Sequence, residues 1–350
     1  MFTSFHPGAI WPDDHGVHIN AHGGGILVED GVYYWYGEHK IEGRAGNYAH
    51  VGVHVYTSTD LMNWTDAGIA LDIRGGRFPE LQDGCIIERP KVARSLATGA
   101  YVMLFHYEAD SSYNSAAVGF AVAESPLGPF TLHHIQRPDI GVWPLNTPPE
   151  LKDPDLIRRA ADALAASTNG RVAGDDAQGL LGANLSRGQD SRDMTLFRDD
   201  DGKTYQIYSS EQNAVTHLTL LTDDLLGYAG TCVRLFPGRY MEAHALFKRR
   251  GKYYFIGSGC TGWKPNAARS AVADSLLGPW TELDNPARGE NRELTFNGQS
   301  NYILKLDDDR IVFMADIWRP DNAIDGRYLW LPIRFDGIQP YFEFTPEWSF

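Results

Sequence analysis

The chain has 350 residues, a formal net charge of −14, and 43% hydrophobic against 22% charged residues. That is ordinary globular composition and excludes a disordered, collagen-like or low-complexity protein. An acidic surface repels phosphate backbones, which argues against nucleic acid, and no run approaches the roughly 20 apolar residues that span a bilayer, which argues against a membrane.

In chain order, residues 1–14 carry neither the basic nor the apolar segment of a secretion signal, so a cytoplasmic protein is expected. His18 and His22 follow, with three successive glycines at 23–25. Histidines four apart align as metal ligands only on a helix, and the glycines argue against one. Residues 31–36 then form a dense aromatic run opened by Gly31 and closed by Glu38. Similar runs recur at 99–105, 202–208 and 251–256, each opened by glycine, and at 309–314 without one. Each is followed by a segment ending in a turn and an aromatic, clearest at 125–130 and 275–280 and looser at 59–64 and 222–228. Such units read as strand, turn, strand, turn, strand. Tandem recurrence without a linker-like break predicts an all-β chain, one domain over 1–350, folded as a five-bladed β-propeller with four-stranded blades. A β-sandwich or a pair of β-domains is the alternative.

One segment departs from the pattern. Over 139–187 the strand signals stop, and Asp153 followed by Pro154 reads as an N-cap with proline at the first helical position. Leu156, Ile157, Ala160, Ala161 and Leu164 share one face of the helix so predicted, and Asn169-Gly170 would stop it. This helical insertion lies between blades two and three. Its apolar face has to dock on its own blades or on another subunit, which leaves a homo-oligomer open. Cys85, Cys232 and Cys260 are too few for a disulfide framework and lack zinc spacing, so free thiols in a reducing compartment are expected.

Polar groups stand just ahead of four aromatic runs: Glu88-Arg-Pro-Lys91, Ser191-Arg-Asp193, Glu242 after Met241, and Gln299 after Gly298. Glu88 lies in an apolar context beside two cations, so it is expected to be partly buried and held ionised. In a propeller these equivalent innermost positions converge on one axial pocket. Carboxylates converging among Trp and Tyr suit sugar cleavage: aromatic faces stack on pyranose rings while carboxylates grip hydroxyls.

These motifs resemble glycoside hydrolase family 43, a family of five-bladed propellers, and within it the exo-β-1,3-galactanase branch (galactan 1,3-β-galactosidases). The resemblance rests on Asn20-Ala-His-Gly-Gly-Gly25 with the run ending at Glu38, on Glu88-Arg-Pro-Lys91, on Ser191-Arg-Asp193 with the acidic turn 199–202, on Met241-Glu-Ala243 and on Gly298-Gln-Ser300. It spans nearly the whole chain in motif order, although the 139–187 insertion is longer than the family's connection. The resemblance implies an inverting exo-glycoside hydrolase that releases terminal β-1,3-linked galactose from galactan or galacto-oligosaccharides. An α-L-arabinofuranosidase, a β-D-galactofuranosidase or a non-catalytic carbohydrate-binding propeller are its alternatives. Most members carry an Asp base in blade one, where this chain has Asn20-Ala-His22; the galactanase branch shares that loss. By carry-over, Glu242 would be the general acid and Glu88 the carboxylate that tunes it or holds water. Gln299 would position or activate the water, in one version through an imidic-acid tautomer. Glu38, His22, Asp193, Asn213 and Thr261 would contact the terminal sugar, with Trp263 as a stacking platform. No cofactor is required, though the family admits an axial calcium ion.

Overall fold

A computed structural model describes every residue except Asn169. Antiparallel hairpins dominate. The first sheet is β1 (His22–Glu29), β2 (Val32–Glu38), β3 (Gly52–Ser58) and β4 (Thr65–Asp72); the second is β5 (Ile86–Arg94), β6 (Tyr101–Glu108), β7 (Ala117–Ala123) and β8 (Thr131–Gln136). After the insertion come β9 (Met194–Arg198), β10 (Thr204–Ser210), β11 (Val215–Leu221) and β12 (Tyr228–Leu235), then β13 (Met241–Arg249), β14 (Lys252–Gly259), β15 (Arg269–Ala273) and β16 (Trp280–Leu283). The fifth sheet is β18 (Gln299–Lys305), β19 (Ile311–Ile317) and β20 (Arg327–Pro332). A sixth joins β17 (Ala287–Arg288), β21 (Arg334–Asp336) and β22 (Gln339–Glu343).

The expectation of five blades is therefore corrected: the propeller has six sheets, four of four strands and two of three. The fifth repeat lacks a fourth strand, and the single strand before it and the hairpin after it form their own sheet through a parallel β17–β22 pairing. Innermost strands β1, β5, β9, β13 and β18 pack in succession around the axis and close on β1. The sixth sheet instead places Ala287, Phe335 and Phe342 in the apolar layer shared by the fourth and fifth. The aromatic runs became the second strands, and their turn glycines Gly31, Gly99, Gly202 and Gly251 all have positive φ, the conformation a side chain disfavours.

Faces of adjacent sheets bury the core. Trp35, Trp64 and Trp330 are fully buried where the fifth sheet meets the first, and Phe5 stacks on Trp348 at 4.3 Å beside them. Aromatic pairs of this kind add about 0.5–1.5 kcal/mol each beyond burial.

Four innermost strands share a further feature: register shifts at His22/Gly25 in β1, Glu88/Lys91 in β5, Glu242/Ala245 in β13 and Ser300/Tyr302 in β18. Bulges re-aim side chains. Arg89 and Ala243 take positive φ there, at 56° and 57°.

The insertion is only partly helical. It holds α1 (Pro154–Ala166) and a single turn α2 (Leu180–Ala183), with 3₁₀ turns and loop around them. Asp153 caps α1 by accepting from Asp155 N. The predicted stop falls at Asn169, outside the described residues, and α1 already ends at Ala166. Its apolar face docks on the insertion itself, where Gly179 meets Leu156 and Ala160 and Gly182 meets Ile157 and Trp143. No described helix is long and apolar enough to cross a membrane.

Candidate active site

The mouth of the axis opens into a cavity of about 470 Å³ lined by Glu38, Glu88, Asp193, Asn213, Glu242, Trp263 and Gln299, among others. Small-ligand pockets run to about 300–1,000 Å³. Seven of the nine residues singled out from the sequence thus meet in one place. Two do not. His22 is wholly buried, with its ring stacked on Tyr328 at 5.1 Å, and does not line the cavity. Thr261 lies outside it, its hydroxyl donating to Lys264 O at 2.6 Å and accepting from Asn266 Nδ2 at 2.7 Å.

Glu242 is the second residue of β13, just before the bulge. Its Oε1 accepts from Asn213 Nδ2 and from Cys260 Sγ, each at 3.0 Å. Asn213 reaches it from a left-handed position (φ 70°) in the β10–β11 turn, a conformation asparagine tolerates. Burial, and next the charge of Asp193, push the Glu242 carboxyl up to about 7, with Glu88 a lesser contributor. The carboxylate that tunes Glu242 is thus chiefly Asp193 rather than Glu88.

Glu88 has another task. Strand register sets it opposite His106, and His106 Nδ1 donates to Glu88 Oε2 at 3.0 Å while Nε2 donates to Glu108 Oε1 at 2.9 Å. Tyr113 Oη donates to Glu88 Oε1 at 2.8 Å. Burial alone would raise the Glu88 carboxyl, but the hydrogen bond and charge of His106, then Lys40 and Tyr113, hold it far below its usual range. Burial likewise opposes the His106 cation, yet Glu108 and Glu88 carry it up to about 9. Glu88 is held ionised as expected, by His106 in place of its sequence neighbours.

Arg89, which the motif Glu88-Arg-Pro-Lys91 contains without a role, is the hub. Consecutive residues of a regular strand face opposite ways, but the β5 bulge lets Glu88 and Arg89 both face the cavity. Arg89 Nη2 donates to Asp193 Oδ2 and to Gln299 Oε1, both at 2.8 Å; Nη1 donates to Ser300 O at 3.0 Å and to Asn301 Oδ1. Its guanidinium lies 5.4 Å from the Trp318 ring centre. Trp318, just past β19, donates Nε1 to Gln299 Oε1 at 2.8 Å and meets Trp263 edge-on at 5.7 Å. Gln299 Nε2 donates to Ser258 Oγ at 3.1 Å. Lys40, also unassigned from sequence, pairs with Glu38 at 2.6 Å. Its spacing two residues beyond Glu38 was the available signal; nothing marked Trp318 or Cys260.

The donor set for a metal is poor. Glu88, His106 and Asp193 bring ligand atoms within 4.8 Å of one another. Both His106 nitrogens donate to carboxylates, however, leaving no lone pair. Calcium wants six to eight oxygens, and here two buried basic side chains join the innermost strands: Arg89 as above, and Lys91, whose Nζ donates to Gly23 O at 2.9 Å. These residues do not fit an axial calcium ion.

A carboxyl that can give up a proton near neutrality, beside ionised acceptors and indole faces in a sugar-sized cleft, is the equipment of a glycosidase on a propeller frame. Comparison with known proteins agrees. A family 43 β-1,3-galactosidase solved with galactodeoxynojirimycin is 42% identical, covering 99% of this chain and 100% of that one at a TM-score of 0.88. An exo-β-1,3-galactanase from Clostridium thermocellum is 31% identical over 98% of this chain and 66% of that one (TM-score 0.79). One from Phanerochaete chrysosporium, solved with β-1,3-galactotriose, is 28% identical over 99% and 68% (TM-score 0.78). A curated β-D-galactofuranosidase from Aspergillus niger is 28% identical over 157 residues, 40% of this chain, so the match spans under half, 45%, of that relative. No family model matches. The chain belongs to glycoside hydrolase family 43.

Proposed function

We propose that the protein is an inverting exo-β-1,3-galactosidase acting on galactan or galacto-oligosaccharides. The observation that carries the reading is Glu242, a carboxyl at about 7 set against the fixed Gln299 amide in one cavity. Its likeness to a β-1,3-galactosidase over the full length of both chains supports the sugar and linkage. In this reading a terminal galactose enters among Glu38, Glu88 and Asp193, which accept its hydroxyls, with Trp263 and Trp318 as apolar walls. Glu242 protonates the departing oxygen. Gln299 holds a water against the opposite face of C1; as the C1–O bond to the leaving group breaks, the water oxygen bonds to C1, its surplus proton passes to solvent, Glu242 is reprotonated from solvent, and α-galactose leaves. A carboxylate held as low as Glu88 is a weak base near neutrality, so it serves as an acceptor for hydroxyls. The three free cysteines suit a reducing compartment, and cytoplasmic trimming of oligosaccharides is part of the proposal.

A second reading, β-D-galactofuranosidase, rests on the Aspergillus relative. Turnover of β-1,3-galactobiose against nitrophenyl β-D-galactofuranoside and α-L-arabinofuranoside separates them. Proton NMR of the first product anomer tests the stereochemistry: α-galactose first is expected, and β-galactose first refutes inversion. Binding of galactobiose without hydrolysis of any substrate refutes the enzyme reading.

A further inference from the structure

Beneath the insertion lies a second cavity of about 230 Å³. Three arginines line it, Arg137, Arg187 and Arg192, in a chain whose net charge is −14. Its one acidic lining residue among those described, Asp190, is already engaged: it accepts from Gln212 N at 2.8 Å, Glu211 N at 3.1 Å and Asn184 Nδ2 at 3.3 Å. The arginines are held by neutral carbonyls instead. Arg137 donates Nε to Ser115 O at 2.8 Å and Nη2 to Asn114 O at 3.0 Å; Arg192 donates Nη2 to Tyr113 O at 3.1 Å. Arg137 Nη1 and Arg192 Nε are buried and have no acceptor. These two atoms are covered and do not face the cavity, but buried donors are almost always paired, so the guanidinium groups that line it are short of acceptors. Burial disfavours the Arg137 cation, and although Asp190 supports it, Arg187 and Arg192 oppose it.

Tyr113, Arg192 and Gln212 line this cavity and the sugar cavity alike. A ligand in one is therefore within reach of a sugar in the other. We propose that the second cavity binds the carboxylate of an acidic sugar, a uronate carried as a substituent on the galactoside whose terminal residue occupies the main cavity. A carboxylate brings two coplanar acceptors that match guanidinium forks, and a charge that a neutral branch lacks. The inference rests on the galactosidase reading for its substrate, though not for the site.

The test compares kcat/KM on β-1,3-galactobiose with and without a glucuronosyl substituent, beside calorimetric titration with D-glucuronate and with D-glucose as the neutral control. Glucuronate is expected to bind and glucose not. The acidic substrate is expected to be preferred by about tenfold or more, and the preference to shrink as salt rises. Arg137→Met removes both effects and leaves the neutral substrate unchanged. Should that variant fail to fold, Arg187→Gln carries the same expectation. Equal rates on both substrates with no glucuronate binding overturn the proposal. A stronger preference for a sulfated galactobiose overturns the carboxylate assignment. Glucuronate binding that Arg137→Met abolishes, with no galactoside turned over, sinks the galactosidase reading and leaves the site standing.

Discussion

Arg89 Nη2 donates to Gln299 Oε1 at 2.8 Å, and that oxygen also receives Trp318 Nε1 at 2.8 Å. Neither donor can accept a hydrogen bond. An imidic-acid form of Gln299 would place an O–H against two N–H groups. The network therefore fixes the orientation of the side chain and favours the amide tautomer, with Nε2 left to serve Ser258 and the cavity. In the proposed mechanism Gln299 therefore orients a water and does not take its proton.

Replacing Gln299 by Ala is expected to lower kcat by about 10²–10³-fold, the usual worth of one positioned donor, with KM little changed. Gln299→Glu, whose carboxylate would receive both N–H donors, is expected to keep substantial turnover. Steady-state kinetics on galactobiose decides, and full activity in Gln299→Ala would remove the assigned role.

Glu242→Gln is expected to cost about 10²–10⁴-fold on natural galactosides, the range of general acid catalysis. Aryl galactosides with good leaving groups need little protonation and should lose far less. Equal losses on both would make Glu242 a binding residue.

The pH profile gives two shifts of opposite sign. Glu242 must be protonated to act, so kcat/KM should fall as pH rises past about 7. The Asp193 charge raises Glu242, so Asp193→Asn moves this alkaline limb to lower pH. The Cys260 hydrogen bond lowers it, so Cys260→Ala moves the limb higher. Shifts in the same direction would contradict the assigned electrostatics.

His106 should make stability depend on pH. Its folded value of about 9 lies above the unfolded value of about 6.5. The contribution is full below about 6.5 and is lost as pH rises through about 9. Melting temperature in the wild type should fall across that window. His106→Gln should start lower and stay flatter, and parallel curves would count against a buried imidazolium.

Much of the site was legible because catalysis and β-structure leave different marks. An acid such as Glu88 or Glu242 ahead of an apolar run has no packing reason to be there, and four such positions in one phase had to converge. Turn glycines and aromatic runs gave the hairpins for the same kind of reason. The sheet count was not legible: the sixth sheet uses strands of two to five residues, too short to show a period. Neither was the fate of His22. It starts β1, but the bulge after it sends its ring inward against Tyr328. The hub role of Arg89 also depends on a bulge, which alternation counting cannot foresee.

Those bulges separate two kinds of constraint along a single strand. Beyond each shift, alternation resumes and side chains answer to the neighbouring sheets, where a changed volume disturbs a packed layer. Before it, Glu88 and Glu242 line the open cleft, where their neighbours are polar side chains and not a packed apolar layer. Selection can thus act on the tips and leave the shafts alone. Exchange of a few residues at each tip would retune the scaffold to a new glycoside, with no part of the apolar framework having to be relearned.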